Sequence, residues 1–268
     1  SFGYECATLI RPLRRREPDG PKVELAVFRL SATGTAKERI GTLFFNPGGP
    51  GQPGHKSAYK GMLLPDEIRR AFDFVTWDPR GLGKSLPALS DCQVPMPRRP
   101  ATGPVDWQQV LSQRQLELTE RNRDCIARHR ALIPQMGTVE AAHDLDVLRQ
   151  AVGDDRLTFW GVSYGTVIGS TYAALFPGRV RALVLDGSVD PWSDLSGLRR
   201  SATAPDDAIR FFLQLNPDLK VPLQASLARL EQEPLILPDG SLYTRWDLLD
   251  PLVNYLPISR ISGTYGRT

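Results

Sequence analysis

The sequence predicts an α/β fold with a largely parallel β-sheet, and three features of its pattern support this prediction. Short apolar runs rich in β-branched and aromatic residues alternate with longer amphipathic segments, as expected when helices cross over between parallel strands. With 268 residues, 41% of them hydrophobic, the chain is long enough for a sizeable core. Four of the apolar runs lead into loops with reactive or glycine-rich sequence, and such loops form the ligand-binding edge of open α/β sheets.

Six strands are predicted in the first 190 residues. They are Cys6–Leu13, Val23–Leu30, Gly41–Phe45, Phe72–Trp77, Leu157–Val162 and Val180–Leu185. Helical periodicity extends over Trp107–Leu132 and Thr138–Val152, with Thr138 expected as the N-cap of the second helix. The proline-rich stretch Leu86–Pro104 is expected to be a surface linker.

The pattern changes after Asp190, where helical segments follow one another without long apolar strands. These segments are roughly Pro205–Leu215, Leu223–Glu231 and Arg245–Leu256, with a turn at Asp239–Gly240. We interpret residues 1–190 as the core and 191–268 as an incomplete helical cap. The closing residues ISGTYGRT show neither the period of a strand nor that of a helix, so we expect the chain to stop before the last strands of the domain.

Composition argues against several classes of function. The formal net charge is +3 and the basic residues are scattered, which argues against a nucleic-acid partner. No apolar run approaches the roughly 20 residues that cross a bilayer, so we expect no membrane span. Three scattered histidines and no Cys-x-x-Cys pair leave no metal-ligand cluster, and we expect neither a metal nor another cofactor.

The sharpest motif is Gly161-Val162-Ser163-Tyr164-Gly165, which follows the apolar run LTFWGV and precedes a segment of small residues, TVIGSTYAALF. A Gly-x-Ser-x-Gly sequence between a strand and a helix is the context in which it acts as a nucleophile elbow. The glycines leave room for a turn tight enough to expose the serine hydroxyl. We therefore predict that Ser163 is a catalytic nucleophile.

A second motif, the segment 46–51 with sequence NPGGPG, directly follows the run GTLFF. A glycine-rich loop at this place brings backbone N–H groups close to a substrate oxygen. We predict an oxyanion hole formed by the N–H of Tyr164 and that of Gly48 or Gly49.

A third motif, Asp78-Pro79-Arg80-Gly81 with the following LGKS, ends the run FDFVTW. Its GLGKS resembles the end of a phosphate-binding loop, but the required upstream glycine is absent, because Asp78 stands five positions before Gly83. We therefore reject a nucleotide site. A structural turn held by an Asp78–Arg80 interaction is favoured over a direct catalytic role.

Taken together, four segments resemble the tripeptidyl-aminopeptidase branch of the α/β-hydrolases, which is related to prolyl aminopeptidases. They are GTLFFNPGGPG, FDFVTWDPRGLGKS, LTFWGVSYGT and YAALFPGRVRALVLDGSVDP, and the opening CATLIRPL is similar to the family's first strand. The resemblance covers Cys6 to Pro191. It implies an α/β-hydrolase fold, a mostly parallel sheet with helices on both faces and a helical cap, in a serine exopeptidase that bacteria usually export to the envelope or beyond.

The resemblance carries over to individual residues only in part. Ser163 matches the nucleophile; Tyr164, Gly48 and Gly49 match the oxyanion donors; Asp78 and Arg80 match a supporting loop. The family places its catalytic aspartate and histidine after the cap, whereas no histidine follows Ser163 here. We expect them on a second chain or a C-terminal segment outside these 268 residues.

The three histidines are the candidates for the missing base, which must lie within hydrogen-bonding reach of the serine. His55 follows the glycine-rich loop and is the best placed of them, whereas His129 and His143 fall on predicted helices. None has an obvious carboxylate to orient it, and we expect packing or surface roles for all three.

The three cysteines admit two interpretations. Cys6, Cys92 and Cys125 are either buried small apolar residues, or Cys92 and Cys125, which flank one insertion, form a disulfide in an oxidising compartment. The second interpretation leaves Cys6 free or paired with a cysteine elsewhere.

Three functions are compatible with the sequence. The first is an aminopeptidase that releases short N-terminal units through an acyl-enzyme on Ser163; the second is an esterase or amidase for a small metabolite. The third is a non-catalytic binding subunit, which the missing histidine favours and the intact elbow opposes.

Overall fold

The fold is given by a computed structural model that describes residues 3–92, 99, 101–190 and 207–262, with side chains up to residue 253. Several sequence-based expectations lie outside these residues. They are the middle of the proline-rich linker (residues 93–98 and 100), the start of the predicted helix at Pro205 and the last six residues of the chain.

The first part of the chain forms a six-stranded sheet in the order β1-β2-β4-β3-β5-β6. The strands are β1 (Glu5–Pro12), β2 (Lys22–Leu30), β3 (Gly41–Asn46), β4 (Phe72–Trp77), β5 (Leu157–Val162) and β6 (Val180–Asp186). The pairs β1–β2 and β2–β4 are antiparallel and the other three are parallel. The predicted strands are confirmed to within one residue at each end, and so is the largely parallel sheet.

Helices connect the strands and continue beyond them. They are α1 (Asp66–Ala71), α2 (Trp107–Arg128), α3 (Thr138–Ala151), α4 (Tyr164–Leu175), α5 (residues 207–215), α6 (Lys220–Gln232) and α7 (Arg245–Ser262). A 3₁₀ helix spans Gly54–Leu63, and a two-stranded hairpin, β7 (Leu235–Ile236) and β8 (Leu242–Tyr243), is joined across the turn predicted at Asp239–Gly240.

Several predicted helix ends differ from the structure. Helix α6 begins at Lys220 rather than near Leu223, and α7 ends at Ser262 rather than near Leu256. The prediction that Thr138 caps α3 is wrong: Gly137 occupies the N-cap without a side-chain cap, and the Thr138 hydroxyl shares a 2.7 Å hydrogen bond with that of Tyr164. Helix α2 ends at Arg128 rather than Leu132, because the chain then turns into the short 3₁₀ helix Ile133–Gln135.

The main core lies between the sheet and the α3–α4 pair. Its buried side chains include Phe44, Trp77, Leu145, Phe159 and Ile168. Strands β3, β4 and β5 are central and buried on both faces, which explains their continuous apolar sequence. This packing fixes the carboxyl ends of β3, β4 and β5, which carry all the motifs singled out in the sequence.

A buried polar cluster joins the nucleophile-bearing helix α4 to α3. Asp146 accepts hydrogen bonds from Tyr172 at 2.9 Å, Gln150 at 2.6 Å and Arg149 at 3.1 Å, and pairs with Arg179 at 2.5 Å. Burial alone would raise the pKa of Asp146, but the hydrogen bonds from Tyr172, Arg149 and Gln150 outweigh it and leave that pKa below its usual value. The cluster therefore holds a carboxylate ionised inside the fold.

This cluster predicts a loss of stability at high pH. Burial, followed by the hydrogen bond to Asp146, raises the pKa of Tyr172 to about 12. The folded state favours the neutral phenol, so the stabilisation is complete below the ordinary tyrosine pKa of about 10 and disappears as pH rises towards about 12. Between these pH values we expect the free energy of unfolding of wild type to fall by on the order of 2 kcal/mol more than that of Tyr172→Phe. Urea unfolding at stepped pH measures the difference, and equal losses in both proteins would contradict it.

The chain divides into two compact units, residues 1–94 with 119–191 and residues 95–118 with 192–268. The sequence interpretation put the boundary after residue 190 and assigned residues 95–118 to the core. In the second unit, Arg245 donates to Glu231 at 2.7 Å and to the carbonyl of Gly103 at 2.7 Å, and this joins the early segment to the C-terminal helices. No helix within the described residues is both long and apolar enough to cross a membrane.

Candidate active site

Ser163 occupies a strained turn between β5 and α4. Its backbone angles are φ 55° and ψ −123°, and it is the non-glycine residue with positive φ in the described chain. Such a conformation costs on the order of 1–3 kcal/mol and persists only where its surroundings enforce it. Its N–H donates to the carbonyl of Asp186 at 2.8 Å, and its carbonyl accepts from the N–H of Thr166 at 2.9 Å. The side chain is half-buried at the N-terminus of α4.

The glycines on either side of Ser163 are required sterically. A Cβ at Gly161 would lie 2.4 Å from the carbonyl oxygen of Gly165, and one at Gly165 would lie 2.7 Å from the carbonyl oxygen of Asn46. Real Cβ atoms do not approach backbone so closely, so any larger residue would displace the turn. The Gly-x-Ser-x-Gly spacing thus follows from the close packing of β5, α4 and the end of β3.

The glycine-rich loop after β3 contacts this turn directly. A Cβ at Gly48 would lie 2.3 Å from the carbonyl oxygen of Val162 and 3.0 Å from the backbone nitrogen of Tyr164. Gly48 has φ 93° and Gly49 has φ 113°, conformations that favour glycine. The loop therefore lies beside the first N–H of α4, where the sequence predicted an oxyanion hole.

The two predicted loop donors are not equivalent. The N–H of Gly48 donates to Oδ1 of Asn46 at 2.9 Å and is thereby occupied. The N–H of Gly49 has no acceptor among the described residues, and neither has that of Tyr164, which stands at the first position of α4, before the helix can supply one. The free donors are therefore Gly49 and Tyr164.

A cleft of about 250 Å³ opens beside the glycine-rich loop and the first residue of α4. Its lining combines backbone, polar and apolar groups, among them Asn46, Gly48, Gln52, Leu82, Met136 and Tyr164. It lies at the carboxyl edge of the sheet, the usual position of a ligand site in an α/β fold.

The Asp78 loop is held differently from the prediction. No Asp78–Arg80 interaction exists: Arg80 instead forms a two-bond ion pair with Asp144 on α3, at 2.7 and 2.9 Å, and both side chains are at most 2% exposed. Arg80 also donates to the carbonyl of Leu13 at 2.7 Å. The partner lies 64 residues away, so local sequence could not indicate it.

Asp78 is fully buried and accepts three hydrogen bonds from other parts of the chain. They come from the N–H of His55 at 2.9 Å, its ring Nδ1 at 2.8 Å and the N–H of Lys84 at 2.8 Å. A Cβ at Gly83 would lie 2.3 Å from the Asp78 carboxylate, which explains a glycine there without any phosphate. Asp78 and Arg80 are thus separate anchors of one loop.

The expectation that no histidine has an orienting carboxylate is wrong, because His55 has Asp78 and His129 has Asp91, at 3.0 Å. Neither ring is hydrogen-bonded to Ser163 in the described part of the chain. His55 is bonded to Asp78 directly after β4 and makes a tilted ring contact with Phe28 of β2, and β3 lies between β4 and the elbow strand β5. His129 is tied to the loop before the disulfide described below.

His143 is also unsuited to act as the base. Its Nε2 lies 2.7 Å from the Arg15 guanidinium, which can only donate, so the proton-accepting nitrogen is occupied. Its ring packs edge-on against Phe176, which follows the twelve residues of α4, about 18 Å along the helix from the elbow. All three histidine rings therefore have hydrogen-bonding partners other than the nucleophile.

Comparison with known proteins agrees with this geometry. A profile of the family described as alpha/beta hydrolase fold matches residues 41–220, which is more than half of the chain. The chain belongs to the α/β hydrolase fold family. The profile includes the glycine-rich loop, the Asp78 loop and the elbow of this hydrolase.

Curated relatives of this chain include peptidases and an esterase. It is 36% identical over 256 residues to serine protease Hip1 of Mycobacterium tuberculosis, covering 91% of this chain and 48% of the relative. It is 37% identical over 199 residues to tripeptidyl aminopeptidase of Streptomyces lividans, covering 71% and 36%. It is 38% identical over 198 residues to carboxylesterase B of M. tuberculosis, covering 69% and 36%.

These matches confirm the predicted resemblance to peptidase-like α/β-hydrolases. They also show that the chain spans about half the length of the first of these relatives and about a third of the others.

The structure decides between the two interpretations of the cysteines. Cys92 and Cys125 form a disulfide, and Cys6 is an exposed thiol on β1. Asp91, Cys92 and His129 come within ligand distance of one another, but the Cys92 sulfur is committed to the disulfide and is not available to a metal.

Sequence reasoning missed Asn46 and Asp144 as parts of the hydrolase site. Asn46 could have been found, because an asparagine whose side chain accepts from the N–H two residues later is a common local turn before glycine. Asp144 had no such signal, because its link to Arg80 exists only in the folded protein.

Proposed function

We propose that this chain carries the nucleophile and the oxyanion hole of a serine hydrolase that releases short N-terminal units from peptides. The observation that carries the proposal is Ser163 on a strained elbow beside two unengaged N–H groups, those of Gly49 and Tyr164. Strain and unpaired donors are unfavourable in a purely structural turn, but they serve a site that binds a developing negative charge.

In this mechanism the Oγ of Ser163 attacks the substrate carbonyl carbon, and its proton passes to a base. The carbonyl oxygen becomes an oxyanion that accepts hydrogen bonds from the N–H groups of Gly49 and Tyr164. The leaving amine takes the proton from the base as the acyl-enzyme forms, and water then releases the acid and restores Ser163.

We propose that the base and its orienting carboxylate come from a segment outside these 268 residues, on the same chain or on a second one. The histidines described above have other partners, and the relatives named above are about two to three times as long as the region they share with this chain. In the described sheet β6 is paired on the β5 side alone, and its Val184 and Leu185 are 55% and 37% exposed. A further strand along this edge would cover them.

We also propose export to an oxidising compartment, the envelope or exterior of a bacterial cell. The Cys92–Cys125 disulfide supports this, because such bonds persist where thiols are not kept reduced.

Dependence on a free amine distinguishes the aminopeptidase from its alternative. An esterase or amidase acting on a small metabolite is the second candidate, favoured by the similarity to carboxylesterase B. With the full-length protein, we expect a tripeptide p-nitroanilide with a free N-terminus to be cleaved at least about 10-fold faster than its N-acetylated twin, since an ion pair or charged hydrogen bond of about 1.5–3 kcal/mol would be lost.

A p-nitrophenyl ester of a short fatty acid completes the comparison. Equal rates for the two peptides, together with faster ester cleavage, would contradict the aminopeptidase and support the esterase.

A further inference from the structure

We propose that Asn46 is a positioning residue of the oxyanion hole, which fixes Gly48 and thereby makes Gly49 the loop donor. The inference rests on the proposed function and specifies how its oxyanion hole is built. Asn46 is the last residue of β3 and is 1% exposed, although it is polar. A buried asparagine needs a reason, because an amide without partners is costly to remove from water.

Asn46 is hydrogen-bonded directly to the glycine-rich loop. Oδ1 of Asn46 accepts the N–H of Gly48 at 2.9 Å, across only two residues. Gly48 has φ 93°, a conformation that contacts from neighbouring groups must maintain. Its backbone packs against Val162 and Tyr164 so closely that a Cβ would not fit. The hydrogen bond therefore holds the Pro47–Gly48 peptide in one orientation. With Gly48 packed at its positive φ, this orientation sets the position of the next peptide, which carries the Gly49 N–H.

Asn46 also contacts the elbow. A Cβ at Gly165 would lie 2.7 Å from the carbonyl oxygen of Asn46 and 3.1 Å from its Oδ1. One residue therefore contacts both halves of the hole, the loop that carries Gly49 and the helix that begins at Tyr164. A shift of Asn46 would change the separation of the two donors, and donor placement determines how well an oxyanion is bound.

The amide nitrogen of Asn46, Nδ2, is a hydrogen-bond donor that the loop does not use. Since Oδ1 accepts from Gly48, the orientation of the side chain is settled, and Nδ2 points away from that bond. Nδ2 has no acceptor among the described residues, and Asn46 is one of the residues that line the 250 Å³ cleft. The Asn46 side chain thus uses Oδ1 to hold the loop and keeps Nδ2 as a donor for a ligand in the cleft.

Two substitutions test the inference in the full-length protein. Asn46→Leu has nearly the same size but leaves the Gly48 N–H without its acceptor, and we expect kcat to fall about 100-fold with KM within about 3-fold of wild type. Asn46→Asp keeps the acceptor but places a carboxylate beside the developing oxyanion. We expect its rate of Ser163 phosphonylation, relative to wild type at the same pH, to fall as pH rises and the carboxylate ionises.

Asn216→Leu is the matched control, because Asn216 is a half-buried asparagine whose side chain donates to the carbonyl of Phe212 at 2.9 Å. We expect it to lower the unfolding midpoint without changing kcat. If Asn46→Leu does not fold, the pH series on Asn46→Asp remains decisive.

The outcomes separate this inference from the proposed function. If wild type takes no fluorophosphonate on Ser163, the proposed function fails. If wild type is labelled and both Asn46 variants are labelled at its rate across the pH range, only the role of Asn46 is overturned. A loss in Asn46→Leu that appears entirely in KM would also overturn it.

Discussion

Replacing Ser163 with alanine is expected to lower the rate of peptide hydrolysis by the full-length protein by about 10⁴- to 10⁶-fold, with little change in KM. The reason is that the variant lacks the atom that forms the acyl-enzyme, whereas Gly49, Tyr164 and the cleft remain. Steady-state kinetics on the free-amine peptide measures the loss. Ser170→Ala on the same helix is the control, because its hydroxyl only donates back to the carbonyl of Val167 at 3.1 Å.

The same position offers an independent test of backbone strain. Alanine at 163 retains the unfavourable φ of 55°, whereas glycine adopts that conformation freely. Ser163→Gly should therefore be more stable than Ser163→Ala by about 1 kcal/mol. Equal stabilities would contradict the strain, and kinetics within about 10-fold of wild type in Ser163→Ala would contradict the nucleophile.

Replacing Arg80 with methionine is expected to destabilise the protein by about 3–5 kcal/mol. Arg80 supplies the two short bonds to Asp144, and the remaining cation, Arg11, lies 3.4 Å from that carboxylate. Methionine fills much of the volume of the arginine side chain, but it leaves the buried Asp144 carboxylate with only the long contact to Arg11. Urea unfolding measures the change, and Arg156→Met, on the exposed surface, should stay within about 0.5 kcal/mol of wild type.

A double variant distinguishes loss of the charge from loss of packing. Arg80→Met combined with Asp144→Leu removes both ends of the pair, and we expect it to recover most of the stability, since buried pairs are often replaceable by apolar side chains. A double variant as unstable as the sum of the two single variants would show that the two residues act independently.

Regular elements of this fold could be predicted from sequence because their signals are local. Strand β5 reads LTFWGV and is buried on both faces, so its apolar run ends where the strand ends. The elbow could be predicted for a similar reason. A strand-to-helix turn this tight brings backbone atoms so close to positions 161 and 165 that only glycine fits there. Neither required knowledge of a distant residue.

The polar links of the site could not be predicted in this way. His55 and Asp78 are 23 residues apart. They meet because His55 lies in the segment after β3 and Asp78 directly follows β4, the neighbour of β3 in the sheet. Arg80 was expected to pair with Asp78, two residues away, but the packing of α3 on the sheet brings Asp144 closer. Such pairs depend on the tertiary arrangement, about which periodicity gives no information.

The oxyanion donor could be predicted from sequence only in part: the loop is coded locally, but the choice of residue within it depends on a tertiary contact. The sequence predicted Gly48 or Gly49, and it could not choose because both are glycines with the same chemistry. Only the bond from Gly48 to Asn46 distinguishes them.

The central claim, that Ser163 is an activated nucleophile, is tested most directly by covalent labelling of the full-length protein with a fluorophosphonate, followed by intact mass and peptide mapping under denaturing conditions. We predict one adduct, on the peptide that contains Ser163, and none in Ser163→Ala. Absence of an adduct on a folded wild-type protein would contradict the account and support a non-catalytic binding subunit that retains the hydrolase fold.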